Sequence, residues 1–250
     1  LQHSFEDRVR FVLVEPSHAG NIGAAARAIK TMGFGRLSLV KPCRFNTYEC
    51  YARASGANDV LDGATTHEDL QSAIAECSTV FGTSARERTL SWPVESLRQT
   101  AERCVALPTS QQIGIVFGRE RSGLTNEELA LCSAQLTIPS SDTFSSLNLA
   151  AAVQVVAYEL RCASAHGDVR VDAADVRDEP APQQDLERFH EHLQAVMTKT
   201  GFFDPSEPRL LLPRVRRLFA RAEPRVSELQ LLRGFLSSIE RVVSPGTRDK

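Results

Sequence analysis

The stretch HAGNIGAAARAIKTMGFG, residues 18–35, sets an amide and a guanidinium, Asn21 and Arg27, among small residues that include four glycines. A guanidinium holds its proton at neutral pH, so Arg27 is suited to steadying an oxygen that gains negative charge or to gripping a phosphate. Three readings compete. A dinucleotide loop would need G-x-G-x-x-G and an acid at the end of the second strand. Here alanines follow Gly20 and Gly23, and that strand ends Val40-Lys41-Pro42. The plainest reading makes Asn21 the cap of a helix from about Asn21 to Met32, Gly23 a packing position and Arg27 a solvated side chain. The third makes Arg27 part of a site.

Three further segments favour a site. FGTSARERTL (81–90) places Thr83, Ser84, Ala85, Arg86 and Arg88 just past an apolar run, and FGRERSGLTNEE (117–128) places Gly118 and Glu120 past another. IPSSDTFSSLN (138–148) gathers hydroxyls, among them Ser145 and Ser146, ahead of a long apolar segment. Ligands of α/β sheets bind outside the carboxyl ends of strands, where all of these residues would fall.

The elements that must carry these loops follow from hydropathy. Short apolar runs at 9–15, 36–42, 78–85, 112–118 and 135–139 predict buried strands, and helical spacing predicts helices at 67–77, from Thr125 and over 145–163. Thr125 and Glu128 are spaced as a capping box. Alternating strands and helices predict an α/β fold with a mostly parallel sheet. The segment 145–163 is apolar on nearly every face, which predicts burial on most sides and suits a subunit interface.

The chain's 250 residues carry 29 basic and 31 acidic side chains, so any basic surface must be local. The six cysteines are scattered without C-x-x-C or a histidine partner pattern, which reads as reduced thiols of a cytoplasmic protein rather than a disulfide framework or a metal site. The opening LQHSFEDRVR is too charged for a signal peptide, and no run approaches a membrane span. Composition divides the chain into an α/β domain over 1–163, an acidic, proline-bearing linker over 164–184 and a helical extension over 185–250. In the extension, Leu186, Phe189, Leu193, Val196 and Met197 form one apolar stripe. Leu229, Leu232, Leu236 and Ile239 form another, which a second capping box at Ser227 and Gln230 would open.

The order N-x-G-x-x-x-R (Asn21, Gly23, Arg27), F-G-R-E-x-x-G-L-T-N-E (117–127) and S-S-L-N-L (145–149) resembles the three motifs of the SPOUT RNA methyltransferases. The likeness spans nearly the whole chain, with Pro16 standing where relatives often carry threonine. It is strongest to the members that methylate the ribose 2'-oxygen of tRNA nucleotide 32, in the anticodon loop. The resemblance implies a C-terminal trefoil knot that binds S-adenosylmethionine without a metal, in a homodimer with its active sites at the subunit interface. It implies cofactor contacts from Thr83, Ser84, Ala85, Gly118, Glu120, Ile138, Ser145, Ser146 and Leu147, and catalytic roles for Arg27, Ser146 and Asn21, with Asn148 a weaker candidate. Whether Arg27 is a literal base stays open, since its pKa argues for an electrostatic role. Arg86 and Arg88 are RNA contacts or a solvated pair. The extension supplies a basic surface: RLLLPRVRRLFARAEPR (209–225) has six arginines against one glutamate, with Arg214, Arg217 and Arg221 on one helical face and Arg216 beside them. That pattern favours a tRNA phosphate contact. Methylation of another tRNA position or of rRNA, and a non-catalytic RNA-binding module, are the alternatives.

Overall fold

The computed structural model describes residues 4–84, 94–141, 143, 145–166, 179–207 and 210–243. Its centre is a seven-stranded sheet with every pairing parallel, made by β1 (Val9–Val14), β2 (Arg36–Val40), β3 (Thr65–His67), β4 (Thr79–Thr83), β5 (Val94–Ser96), β6 (Ile113–Phe117) and β7 (Ala134–Thr137). Across the sheet the order is β3-β2-β1-β6-β4-β7-β5. Every residue of β1 and β6 is buried, as continuous apolar strands covered on both faces must be. The α/β expectation with a parallel sheet therefore holds.

Before β1 lies the short helix α1 (Phe5–Arg8). On one face, odd-numbered β1 residues Val9, Phe11 and Leu13 share a core with α2 (Ala19–Thr31), α3 (Tyr48–Ala54), α4 (Asn58–Asp62), α6 (Leu97–Ala106) and α8 (Leu149–His166). On the other, Val12 and Val14 pack with α5 (Leu70–Ala73) and α7 (Asn126–Leu129). Gly23 lets α2 close on α3, since a Cβ there would stand 2.0 Å from the Cys50 carbonyl oxygen.

Several boundaries differ from the sequence reading. Helix α2 begins two residues before Asn21, after His18, which makes no side-chain cap bond; Asn21 lies in the first turn and is not the cap. Helix α8 begins at Leu149 rather than 145, because Asn148 Oδ1 accepts from the amides of Ala150 (2.9 Å) and Ala151 (3.4 Å) and ends the loop there. Of 67–77 only Leu70–Ala73 is helical, started by Asp69, whose side chain accepts from the Ser72 amide. The Thr125–Glu128 capping box is present.

The extension forms α9 (Gln183–Lys199), α10 (Leu211–Ala222) and α11 (Val226–Val243) around its own core of Leu186, Phe189, Val196, Leu229 and Leu236. Helix α11 opens ahead of Ser227, and Glu228 accepts from the Arg225 amide at 2.7 Å, so the start lies before the Ser227–Gln230 pair. Of the segment read as linker, 167–178 lies outside the described residues, and α9 already begins within it at Gln183. The extension is joined to the α/β part through the main chain: the Gln183 amide donates to Cys77 O (3.0 Å) and the Gln184 amide to Ala75 O (3.1 Å). Arg103 of α6 adds ion pairs to Glu95 and Glu223.

His190 is buried against Phe189 and Phe219, and burial pushes its pKa down to about 4, with Arg216 adding to the fall. The unfolded chain therefore binds a proton that the folded one refuses, so stability is full above the ordinary histidine pKa and is lost as pH falls toward 4. The loss expected from this group is on the order of 3 kcal/mol. Thermal melts between pH 7 and 4 should show it, and His190→Leu should flatten that part of the profile. An unchanged slope in the variant would assign the acid sensitivity to other groups.

Candidate active site

The site is built where four segments leave the carboxyl edge of the sheet. After β6 the chain folds back at once, with the Arg119 amide donating to Gly123 O (3.2 Å) and the Gly123 amide to Arg119 O (2.9 Å). Only glycine fits at 118, since a Cβ would lie 2.2 Å from the Gly123 carbonyl carbon and 2.3 Å from the Leu124 nitrogen. Arg119 locks this turn. Its guanidinium bonds both carboxylate oxygens of Glu15, at 2.6 and 2.8 Å, and both of Glu128, at 2.9 and 3.0 Å. These bonds hold the Arg119 pKa above its ordinary value and, with Arg119 the main cause, the Glu15 pKa below its own.

Glu120 points the other way, to the loop after β1. Its carboxylate accepts from the Ser17 amide (3.1 and 3.2 Å), the Ser17 hydroxyl (3.0 Å) and the Asn21 side-chain amide (3.1 Å). Burial raises its pKa, but these bonds and one from its own amide outweigh burial and leave it lowered. Asn21 Oδ1 in turn accepts from Asn148 Nδ2 at 3.0 Å. Glu120, Asn21 and Asn148 thus form one polar chain whose two links join residues 99 and 127 apart in sequence.

Beside this chain opens a cavity of about 240 Å³. Its walls are Thr83 and Ser84 at the end of β4, 117–123 from the end of β6, Leu136 and Ile138 of the β7 end, and Ser145, Ser146, Leu147, Leu149 and Ala152 around the start of α8. Aliphatic surfaces alternate with hydroxyls, backbone groups and one carboxylate, which suits an amphipathic ligand with a planar ring and several polar substituents. The cavity brings together Thr83, Ser84, Gly118, Glu120, Ile138, Ser145, Ser146 and Leu147. Ala85, Arg86 and Arg88 lie outside the described residues.

Arg27 is exposed on α2 and does not line the cavity. It stands six residues beyond Asn21, about 9 Å along the helix axis. In the extension Arg214 and Arg221 are exposed. Arg216 departs from the expected phosphate contact, because its guanidinium is bonded to both carboxylate oxygens of Glu187. The sequence reading assigned nothing to Ser17 or Glu15, and gave Glu128 only its capping role with Thr125. Only the acids' charge, opposite that of Arg119 in the following motif, hinted at the last two. Among the described residues no helix is long and apolar enough to cross a membrane, and no three side chains of metal-ligating type gather.

Residues 8–158 match the SpoU rRNA Methylase family model, and residues 184–248 match the model of the tRNA methyltransferase TrmJ C-terminal domain. The chain is 46% identical over 236 residues to a tRNA (cytidine/uridine-2'-O-)-methyltransferase TrmJ of Photorhabdus laumondii, covering 94% of this chain and 98% of that one. The corresponding protein of Cronobacter sakazakii is 47% identical over 234 residues, 93% of this chain and 96% of its own. Among solved structures, TrmJ from Z. mobilis ZM4 superposes with a TM-score of 0.80 at 34% identity, over 92% of this chain and 98% of that one. A probable methylase family protein from Haemophilus influenzae superposes at 0.63 with 38% identity, over 96% and 98%. Parallel sheet and strand-end site together define a methyltransferase of the SpoU class. Within that class, the chain belongs to the TrmJ family.

Proposed function

We propose that the protein transfers a methyl group from S-adenosylmethionine to the ribose 2'-oxygen of nucleotide 32 in the tRNA anticodon loop. The observation that carries this reading is the joining of all three motifs at one place: Asn21, Glu120 and Asn148 in a single hydrogen-bonded chain that meets the cavity at Glu120. The names of the relatives supply the tRNA and the 2'-oxygen. A SpoU methyltransferase of the same fold, AviRb of Streptomyces viridochromogenes, has been solved with S-adenosylmethionine, at 20% identity to this chain and a TM-score of 0.50. Nucleotide 32 rests on the motif resemblance.

The lining fits that cofactor. Leu136, Ile138 and Leu147 offer flat aliphatic walls to an adenine, and Thr83, Ser84, Ser145 and Ser146 offer hydroxyls to ribose and carboxylate. Gly118 makes the tight turn that brings backbone close to the ligand. Bound there, S-adenosylmethionine supplies a methyl group on a sulfonium. The chain's own residues then have three tasks. Glu120 remains ionised and fixes Asn21, which with Ser146 and Asn148 orients the incoming ribose. The in-line approach this enforces is worth several kcal/mol by itself. Arg27 steadies the 2'-oxygen as its proton passes to solvent water and grips the adjoining phosphate.

The same reading includes a homodimer and a knotted C-terminal segment. On α8, Ala151, Val155, Tyr158 and Cys162 recur at helical spacing, and Tyr158 is 53% exposed, a stripe that a second copy would cover. The knot rests on the motif resemblance. The deciding experiment is mass-spectrometric mapping of 2'-O-methylribose in tRNA incubated with protein and S-adenosylmethionine. Methyl groups at nucleotide 32 are expected; methylation elsewhere, or none, would overturn the assignment.

In the extension, Arg214, Arg217 and Arg221 are proposed to grip tRNA phosphates. Replacing Arg214 and Arg221 together by alanine should lower the slope of log affinity against log salt by about one to two. An unchanged slope would remove this face from the tRNA contact.

A further inference from the structure

We propose that Tyr48 is a stacking platform for a base of the RNA loop presented to the site, with Arg44 and Arg53 of the same segment as phosphate contacts. The proposal rests on the RNA methyltransferase reading above and names the surface that holds the substrate's single-stranded part.

Tyr48 is 91% exposed, the most exposed large apolar side chain among the described residues, and makes no hydrogen bond with them. The contrast lies three residues on: Tyr51 of the same helix is half-buried and donates its hydroxyl to Asp62 at 2.9 Å. Tyr51 has a role in the fold, whereas Tyr48 presents a bare ring to solvent. Arg44 and Arg53 are also exposed, and neither forms an ion pair with the described residues. An exposed aromatic ring and two exposed guanidinium groups within one ten-residue segment, 44–53, are groups that hold unpaired nucleotides, because every base has a π-face and every linkage a charge.

The placement is fixed. The Cys43 amide donates to Pro16 O at 3.0 Å, tying the loop before α3 to the loop that carries Ser17. The Thr47 hydroxyl accepts from the Cys50 amide and sets the start of α3, so Tyr48 is its first residue. Glu49 and Arg53 lie over the first turn of α2: a Cβ on Gly20 would stand 2.7 Å from Glu49 Oε1 and 3.7 Å from Arg53 Cγ. The next residue after Gly20 is Asn21, the middle of the polar chain that meets the cavity at Glu120. Helix α3 therefore starts beside the first turn of α2, next to Asn21, on an element with no part in the cavity lining.

The test uses the full chain and an unmodified tRNA transcript with cytidine at nucleotide 32. Tyr48→Ala should raise KM for the transcript roughly tenfold while leaving affinity for S-adenosylmethionine at the parental value. Tyr48→Phe should restore the parental KM within about twofold, since the face and not the hydroxyl does the holding. Arg44→Ala and Arg53→Ala should each make the salt dependence shallower. A parental KM in Tyr48→Ala, or a Phe variant as poor as the Ala variant, would overturn the platform. A Tyr48→Ala chain with normal KM that no longer sediments as a dimer would also overturn it and assign the patch to a protein contact. A parent that binds S-adenosylmethionine but leaves the transcript unmethylated would overturn the proposed function instead, which keeps the two failures apart.

Discussion

Arg27→Ala should lower kcat for methyl transfer by roughly two to three orders of magnitude, the range seen when one group facing a developing oxyanion is removed. Affinity for S-adenosylmethionine should stay near the parental value, because Arg27 does not line the cavity. The fold should also survive, since the side chain is exposed and Ala24, Ala25 and Ala26 beside it already show that α2 accepts alanine. An interaction made only in the transition state lowers kcat and kcat/KM together, whereas a phosphate grip made equally in the ground state raises KM. Steady-state kinetics on tRNA therefore separate the two roles given to this guanidinium. Arg27→Lys sharpens the result. Rescue by lysine would mean that a point charge suffices, and failure would mean that the planar fork is required. Activity within a few-fold of the parent in Arg27→Ala would remove Arg27 from the mechanism.

Gly118→Ala should abolish cofactor binding, with an expected loss of at least about a hundredfold in affinity. The added carbon would meet main-chain atoms 2.2 to 2.6 Å away, which cannot swing aside as a side chain would. The turn would have to open, and the Arg119 bonds to Glu15 and Glu128 resist that because they hold the same turn from its far side. Forcing one methyl group into a well-packed place costs typically about 1–3 kcal/mol and occasionally more; here the contacts are to main-chain atoms, so the strain falls at or above the upper end of that range, on the cavity wall. Gly35→Ala is the matched control, since nothing lies within 4 Å of the carbon it would add. Calorimetry with S-adenosylmethionine should show binding lost in the first variant and kept in the second. Parental affinity in Gly118→Ala would place the cofactor elsewhere.

The strands that could be read from the sequence were those buried on both faces. VRFVLV and IGIVF announce themselves because a central parallel strand has no polar side. β3 and β5, three residues each at the sheet's two edges, carry too little apolar patterning to be seen. Strand order was hidden for a different reason: the placement of β6 between β1 and β4 depends on contacts far apart in sequence. The loops of the site were legible because glycines, hydroxyls and charges recur after apolar runs. Their mutual bonds were not. Asn21 looked like a cap on local spacing, and its partners Glu120 and Asn148 lie about a hundred residues away. Arg216 looked like one of a row of phosphate ligands, until Glu187, on another helix, is seen to occupy it.

The two main-chain bonds from Gln183 and Gln184 reach the sheet just before β4, at the strand's amino end. The cavity opens at its carboxyl end, past Thr83. Five residues of extended chain separate the two, roughly 16 Å. Under the proposed tRNA reading, the cavity and the anchor of the tRNA-gripping extension are therefore held by opposite ends of one strand, so a shift of β4 along its own axis would move both together.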